Sequence, residues 1–225
     1  MNDTSPTIFA RDGAQRFPRA AEADLPQLGE ALAHLPFDEA GSRIRGIDAL
    51  APFLSTDGCV GRIAASAIGP QAKPVRAIFF NKTAANNWSL AWHQDRTICV
   101  REPRSVAGFG PWTIKRGMHH VAPPFDLLSR MVTLRVHFDR VDEANAPLLI
   151  APGSHLSGRV PVEEIEAVVR QSGIHACLAE AGDIWLYSTP ILHASEAAAT
   201  PASRRVLQVD YAAEVLPGGL EWLGV

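Results

Sequence analysis

Residues 88–101 read WSLAWHQDRTICVR: two short runs rich in aromatic and β-branched residues, separated by a polar His93-Gln94-Asp95-Arg96. Such runs favour extended backbone. Side chains on a strand alternate with period two, so His93 and Asp95 share a face. One imidazole and one carboxylate on a common face, joined by His193 far downstream, form the two-histidine-one-carboxylate set. That set holds a non-haem Fe(II) and leaves its opposite side open. Arg204, shortly after His193, offers a bidentate grip on a carboxylate.

On either side of this stretch, the same kind of run recurs. Residues 75–80 (VRAIFF), 131–138 (MVTLRVHF), 147–151 (PLLIA), 174–178 (IHACL), 183–187 (DIWLY) and 204–211 (RRVLQVDY) are short and separated mostly by Gly, Pro, Asn or Asp. This spacing predicts an all-β barrel or sandwich. Residues 1–70 read instead as an accessory helical region, with helices over 19–35 and 57–68, the second stopping at Gly69-Pro70. One helix interrupts the strands after Pro161, carrying Glu163 to Arg170. Residues 102–126, rich in Gly and Pro, read as a long loop, and such loops tend to be functional. No linker or repeat divides the chain, so a single domain over 1–225 is expected, with its core at 75–215.

Composition sets the limits. The chain has 225 residues, 47% of them hydrophobic and 20% charged, with a net charge of −3. Neither a nucleic acid nor an anionic membrane is therefore an expected partner. Cys59, Cys99 and Cys177 are widely spaced and include no CxxC, which argues against a disulfide framework or a zinc knuckle and suits a reducing compartment. The N-terminal residues lack an apolar run of signal length, and no later stretch is long enough to span a bilayer. The expectation is a cytoplasmic protein.

Four segments together carry a family resemblance. WHQD (Trp92–Asp95), NAPLLIAPGSH (Asn145–His155), GDIWLYSTPILHAS (Gly182–Ser195) and SRRVLQVDY (Ser203–Tyr211) resemble, in order and spacing, the phytanoyl-CoA dioxygenase family. These are Fe(II)- and 2-oxoglutarate-dependent oxygenases on a double-stranded β-helix, a cupin-like jelly roll. The resemblance implies a mainly β fold with N-terminal and inserted helices, and iron held by His93, Asp95 and His193. It implies Arg204 as the residue binding the distal carboxylate of 2-oxoglutarate. Arg205 is its rival, although the family spacing favours Arg204. Ser195 matches a serine beside the same carboxylate, and Gln94 a residue near the co-substrate. Thr133, Arg135 and His137 share one face of a strand that the family places along the co-substrate pocket. That face is either internal, where Arg135 and His137 would need partners, or a solvated polar row. His119 and His120, in the long loop, are candidate substrate contacts or acid–base groups, with a surface loop as the plain alternative. The chain departs from the family at Asn145-Ala146-Pro147, where Asn-Gly is common. Losing a glycine that tolerates positive φ implies a different turn.

The implied activity is hydroxylation of a small molecule by dioxygen, with release of succinate and CO2; ascorbate is a possible reductant. Retention of Asp95 favours hydroxylation over halogenation. Desaturation, epimerisation or ring formation would use the same site. From another class, a catalytically silent metal-binding barrel would only bind or sense a small molecule. The lack of a basic patch in the sequence argues against a coenzyme-A thioester as substrate, and the oligomeric state is open.

Overall fold

The computed structural model describes residues 7–36, 39–199 and 203–225; the first six residues of the N-terminal stretch read above lie outside them. Its strands are β1 (Ala14–Phe17), β2 (Gly41–Ile44), β3 (Lys73–Lys82), β4 (Leu90–His93), β5 (Ile98–Val100), β6 (Trp112–Lys115), β7 (Met118–Val121), β8 (Val132–His137), β9 (Leu148–Ile150), β10 (His175–Cys177), β11 (Ile184–Ser188), β12 (His193–Ser195) and β13 (Arg204–Ala212). They form a six-stranded sheet in the order β1-β11-β8-β13-β3-β2, a four-stranded sheet β10-β9-β12-β4, and a small sheet β5-β7-β6. All pairings are antiparallel. This is a jelly roll, in which two sheets close over one interior.

Strand parity decides what each face of the large sheet does. Leu134, Val136, Ile184, Leu186, Leu207 and Val209 bury one face beneath the helices Leu25–Leu32 and Cys59–Ile68, together with Leu28, Leu32, Val60 and Ile63. The register Arg204↔Lys82, Val206↔His137 and Gln208↔Arg135 puts the alternate, largely polar residues on the opposite face. That face looks into the roll, where Ile150, Trp185, Tyr187 and Ile191 pack together. Of the two readings of the Thr133-Arg135-His137 row, the internal one holds: all three are buried.

Two expectations need correction. Residues 1–70 are not purely helical or accessory, because β1 and β2 are the two edge strands of the large sheet. Each is four residues long, polar in its middle and with an arginine (AQRF, GSRI), so neither shows the β-branched and aromatic run that marks the other strands. Residues 102–126 are not one long loop, for they contain the hairpin β6–β7. Its turn sets Arg116 at φ 50° and Gly117 at φ 77°, the doubly left-handed geometry of a two-residue hairpin turn. Its glycines and prolines masked two four-residue strands. The inserted helix lies at Ile165–Ser172, after a short 3-10 turn. Among the described residues, no helix is long and apolar enough to cross a membrane.

Candidate metal and co-substrate site

β4 and β12 pair so that His93 lies directly opposite His193, and their rings stand 4.3 Å apart, centroid to centroid. Asp95 follows β4 by two residues, and ligating atoms of His93, Asp95 and His193 all lie within 4.8 Å of one another. In each histidine Nδ1 meets the carbonyl two residues earlier, at 2.8 Å for His93 and Ala91, and 2.9 Å for His193 and Ile191. A carbonyl only accepts, so Nδ1 carries the proton and Nε2 keeps its lone pair. Burial pulls the His193 pKa down to about 4, against the opposing pull of Asp95, so the ring is neutral at pH 7. Burial alone would raise the Asp95 carboxyl, but Arg76, then His193 and His93, outweigh it and hold its pKa below the usual value. Two imidazoles, each with Nδ1 tied to a carbonyl, and one carboxylate suit a divalent first-row metal.

Asp95 is held from behind by residues the sequence did not single out. Arg76 reaches Asp95 at 3.3 Å and Asp210 at 2.5 Å. Asp210 also accepts from the Thr133 hydroxyl at 3.0 Å, and Thr133 meets Thr189 at 3.1 Å. Thr133 therefore supports the carboxylate network rather than lining the co-substrate space. Asp210 shares the parity of Arg204 and Gln208, so extending the inward-facing row by one step would have found it. Arg76 stands out as a charge inside an apolar run.

Further along the same face lies a cluster of cations. Arg204 is 3% exposed and Lys82 1%; Arg135 is also buried, and the three sit close enough to repel one another. Burial first, then Arg135, lowers the Arg204 pKa to about 9. Burial, then Arg204 and Arg135, lowers Lys82 to about 8. Among the described residues no carboxylate pairs with any of them: the Lys82 amine donates to the Glu196 carbonyl at 2.8 Å, and Arg204 donates to the carbonyl of Ala146. Nε of Arg135, Nε of Arg204 and both ring nitrogens of His137 are buried without partners. Buried polar groups normally have partners, and buried cations an anion, so this chemistry fits an anionic ligand with several acceptor oxygens. Arg205 faces the other way and pairs with Asp139 at 2.6 Å, so of the two arginines Arg204 is the one turned into the roll.

The turn at Ala146 is a further correction. Ala146 occupies the left-handed region itself, at φ 51°, ψ 65°. The turn geometry a glycine would favour is therefore kept, and it aims the Ala146 carbonyl at Arg204.

The other expected residues fall elsewhere. Gln94 spends its whole amide on structure, donating to the carbonyls of Gly158 and Pro190 at 2.9 Å each and accepting from the Val160 N–H at 3.0 Å. It alternates with His93 and Asp95 and so staples loops instead of meeting a co-substrate. Among the described residues the Ser195 hydroxyl donates only to the Glu196 carbonyl, at 3.4 Å, the same carbonyl that takes Lys82. This puts Ser195 at the edge of the cation cluster. His120 is buried against Cys99 and Thr97, its pKa drawn down to about 4 by burial and then by Arg76. Its face of β7 looks toward the Arg76–Asp95 pair. His119, one residue away on the strand, takes the opposite face, opposite Val100 and Ile114 in register. Only one of the adjacent histidines is therefore turned toward the candidate site.

No curated protein matches the chain significantly in sequence. Solved structures do match in fold. HygX from Streptomyces hygroscopicus, determined with nickel and 2-oxoglutarate bound, is 16% identical with a TM-score of 0.58, over 91% of this chain and 84% of that one. EctD from S. alaskensis in its apo form is 17% identical with a TM-score of 0.60, over 94% and 79%. AviO1 from Streptomyces viridochromogenes is 18% identical with a TM-score of 0.55, over 93% and 92%. At these identities the likeness concerns the fold. The sequence matches the phytanoyl-CoA dioxygenase (PhyH) family over residues 48–206, well over half of its length and including His93, Asp95, His193 and Arg204, and the chain belongs to that family.

Proposed function

We propose that this protein is a non-haem Fe(II)- and 2-oxoglutarate-dependent dioxygenase that hydroxylates a small molecule with release of succinate and CO2. The observation that carries the reading is a pairing inside the roll: the His93-Asp95-His193 set, with its histidines on the four-stranded sheet, and on the large sheet three buried cations that have no carboxylate partner among the described residues. HygX has been solved with nickel and 2-oxoglutarate bound, and with iron, which supports the same cofactors here.

His93, Asp95 and His193 would hold the metal, and Arg204, Lys82 and Arg135 the far carboxylate of 2-oxoglutarate. When bound, ferrous iron and the 2-oxo acid supply the reduction of dioxygen coupled to decarboxylation. The protein's own residues prepare that site. The Ala91 and Ile191 carbonyls fix each imidazole tautomer, and Arg76, Asp210 and Thr133 hold the carboxylate in position. Phe80 and Trp88, with ring centroids 6.4 Å apart, shield the cations, Arg135 lying over Phe80 and Lys82 over Trp88. In that low-dielectric setting each charge–carboxylate contact is strengthened.

The buried cations call for a bound anion in a silent barrel as well, so turnover rather than binding separates the two readings. The test is succinate formation from 2-oxoglutarate in the presence of Fe(II), against a panel of small-molecule substrates. The expected result is turnover by the wild type and its loss in Asp95→Ala. A wild-type protein that neither binds nor decarboxylates 2-oxoglutarate contradicts the proposal.

A further inference from the structure

At the β2 edge of the large sheet a second cavity, of about 420 Å³, opens between β2 and the tip of the β6–β7 hairpin, lined by Arg43, Arg45, Arg116, Glu39 and Met118 among others. Its size falls in the usual range of small-molecule sites, roughly 300–1,000 Å³. Among the described residues three arginines face a single carboxylate there, and that carboxylate is already used. Glu39 accepts from Arg116 at 2.7 Å and from the Ser42 hydroxyl at 3.4 Å. Arg116 also donates to the Gly41 carbonyl at 3.2 Å, so the hairpin tip is tied down onto β2.

Arg43 has no such partner among the described residues, and its Nε is buried and unsatisfied. β2 pairs with β3 so that Arg43 lies opposite Ile78, on the inward parity that also carries Arg76. Diagonal neighbours of this kind stand roughly 7–8 Å apart, and Arg76 in turn touches Asp95. Arg43 is electrostatically felt by Cys99 and His120, the residues on the inner face of the small sheet, and Lys115 bears on the same two. Through Arg43 and then Arg76 the cavity adjoins the Asp95 side of the His93-Asp95-His193 set. It is separate from the Arg204 cluster at the far end of β3.

We propose that this cavity is the substrate subsite, and that it selects a small molecule carrying an anionic group, a carboxylate or a phosphate, gripped by Arg43 with Arg116 and Arg45 around it. The inference rests on the oxygenase reading for the word substrate, but the anion site itself stands or falls separately. The composition hides this basic patch, because its arginines come from β2, the residues just after it and a distant hairpin.

The test uses matched probes: phenyl phosphate, phenylacetate and the neutral phenylacetamide. Each is titrated by calorimetry into the full-length protein with saturating 2-oxoglutarate and Ni(II) present, so that the Arg204 cluster is occupied. Expected are binding of at least one acid, binding of the amide at least about tenfold weaker, and a loss of about tenfold or more for the acid in Arg43→Gln. Arg43→Lys, which keeps the charge, should retain part of it. Unchanged 2-oxoglutarate affinity in Arg43→Gln shows that the variant is folded. Acid binding unaffected by Arg43→Gln, equal binding of the amide, or no binding of either acid overturns the anion site. Failure of the oxygenase reading shows elsewhere, as absence of 2-oxoglutarate binding in the wild type. The relative strength of the two acids separates a phosphate from a carboxylate substrate.

Discussion

Replacing Lys82 by Met should make the ligand-free protein more stable and the co-substrate complex weaker. The Lys82 amine is buried and its pKa is lowered from 10.5 to about 8. At about 1.4 kcal/mol per unit, holding it charged costs on the order of 3 kcal/mol at pH 7. Met keeps most of the volume but gives up the hydrogen bond to the Glu196 carbonyl, worth about 1 kcal/mol net. The remainder, on the order of 2 kcal/mol, should raise the melting temperature by roughly 5 °C in a chain of this size. The pH dependence follows from the direction of the shift. Between the folded and unfolded pKa values the folded chain binds fewer protons than the unfolded chain. The penalty is therefore complete below pH 8 and disappears as the pH rises toward 10.5. Urea unfolding of both proteins without 2-oxoglutarate, at pH 7 and again near pH 10.5, should show the Met variant ahead only at the lower pH. Calorimetry should show its 2-oxoglutarate affinity down by about 10–100-fold, the loss of one charge-assisted contact. A Met variant less stable at pH 7, a gain independent of pH, or unchanged 2-oxoglutarate binding would refute the idea that these cations await a carboxylate.

Three further outcomes are expected. Asp210→Asn removes a negative charge and leaves Arg76 balanced only by Asp95, drawing electron density from the metal face; anaerobic Fe(II) titration should show affinity falling about 10–100-fold. Arg205→Ala breaks a partly exposed pair with Asp139 and should cost at most about 1 kcal/mol in chemical denaturation, with 2-oxoglutarate binding unchanged. Ala146→Gly relieves a left-handed alanine; since that conformation costs an L-residue roughly 1–2 kcal/mol and glycine gives back part of this in the unfolded chain, a net gain of about 0.5–1 kcal/mol is expected by the same assay.

What could be read from the sequence divides along physical lines. His93, Asp95 and His193 follow from strand parity and motif order, because a period of two leaves a clear trace when ligands lie on or beside strands. The choice of Arg204 over Arg205 needed the sheet register, which depends on partners in β3 and β8. Gln94 and Thr133 fall at positions that the family resemblance places near the co-substrate. In the fold their hydrogen bonds go to loops and to Asp210. Lys82 reads as an ordinary solvated lysine until its strand is seen to lie opposite Arg204. Arg76 and Asp210 leave faint local traces, a charge inside an apolar run and one more step of the inward-facing row, whereas Arg43 acts through residues distant in sequence. β1 and β2 carry few β-branched or aromatic residues and β6–β7 sit among glycines and prolines, so none shows the apolar run that marks the even shorter β5, β9 and β10.

The central claim is that the interior between the two sheets binds a metal and a dicarboxylate together. Calorimetric titration of 2-oxoglutarate into the protein, with and without Ni(II), tests it most directly. The account predicts binding that the metal strengthens, loss of that strengthening in His193→Ala, and loss of binding in Arg204→Met although the metal still binds. Binding of 2-oxoglutarate that is indifferent to the metal and to both substitutions would contradict it.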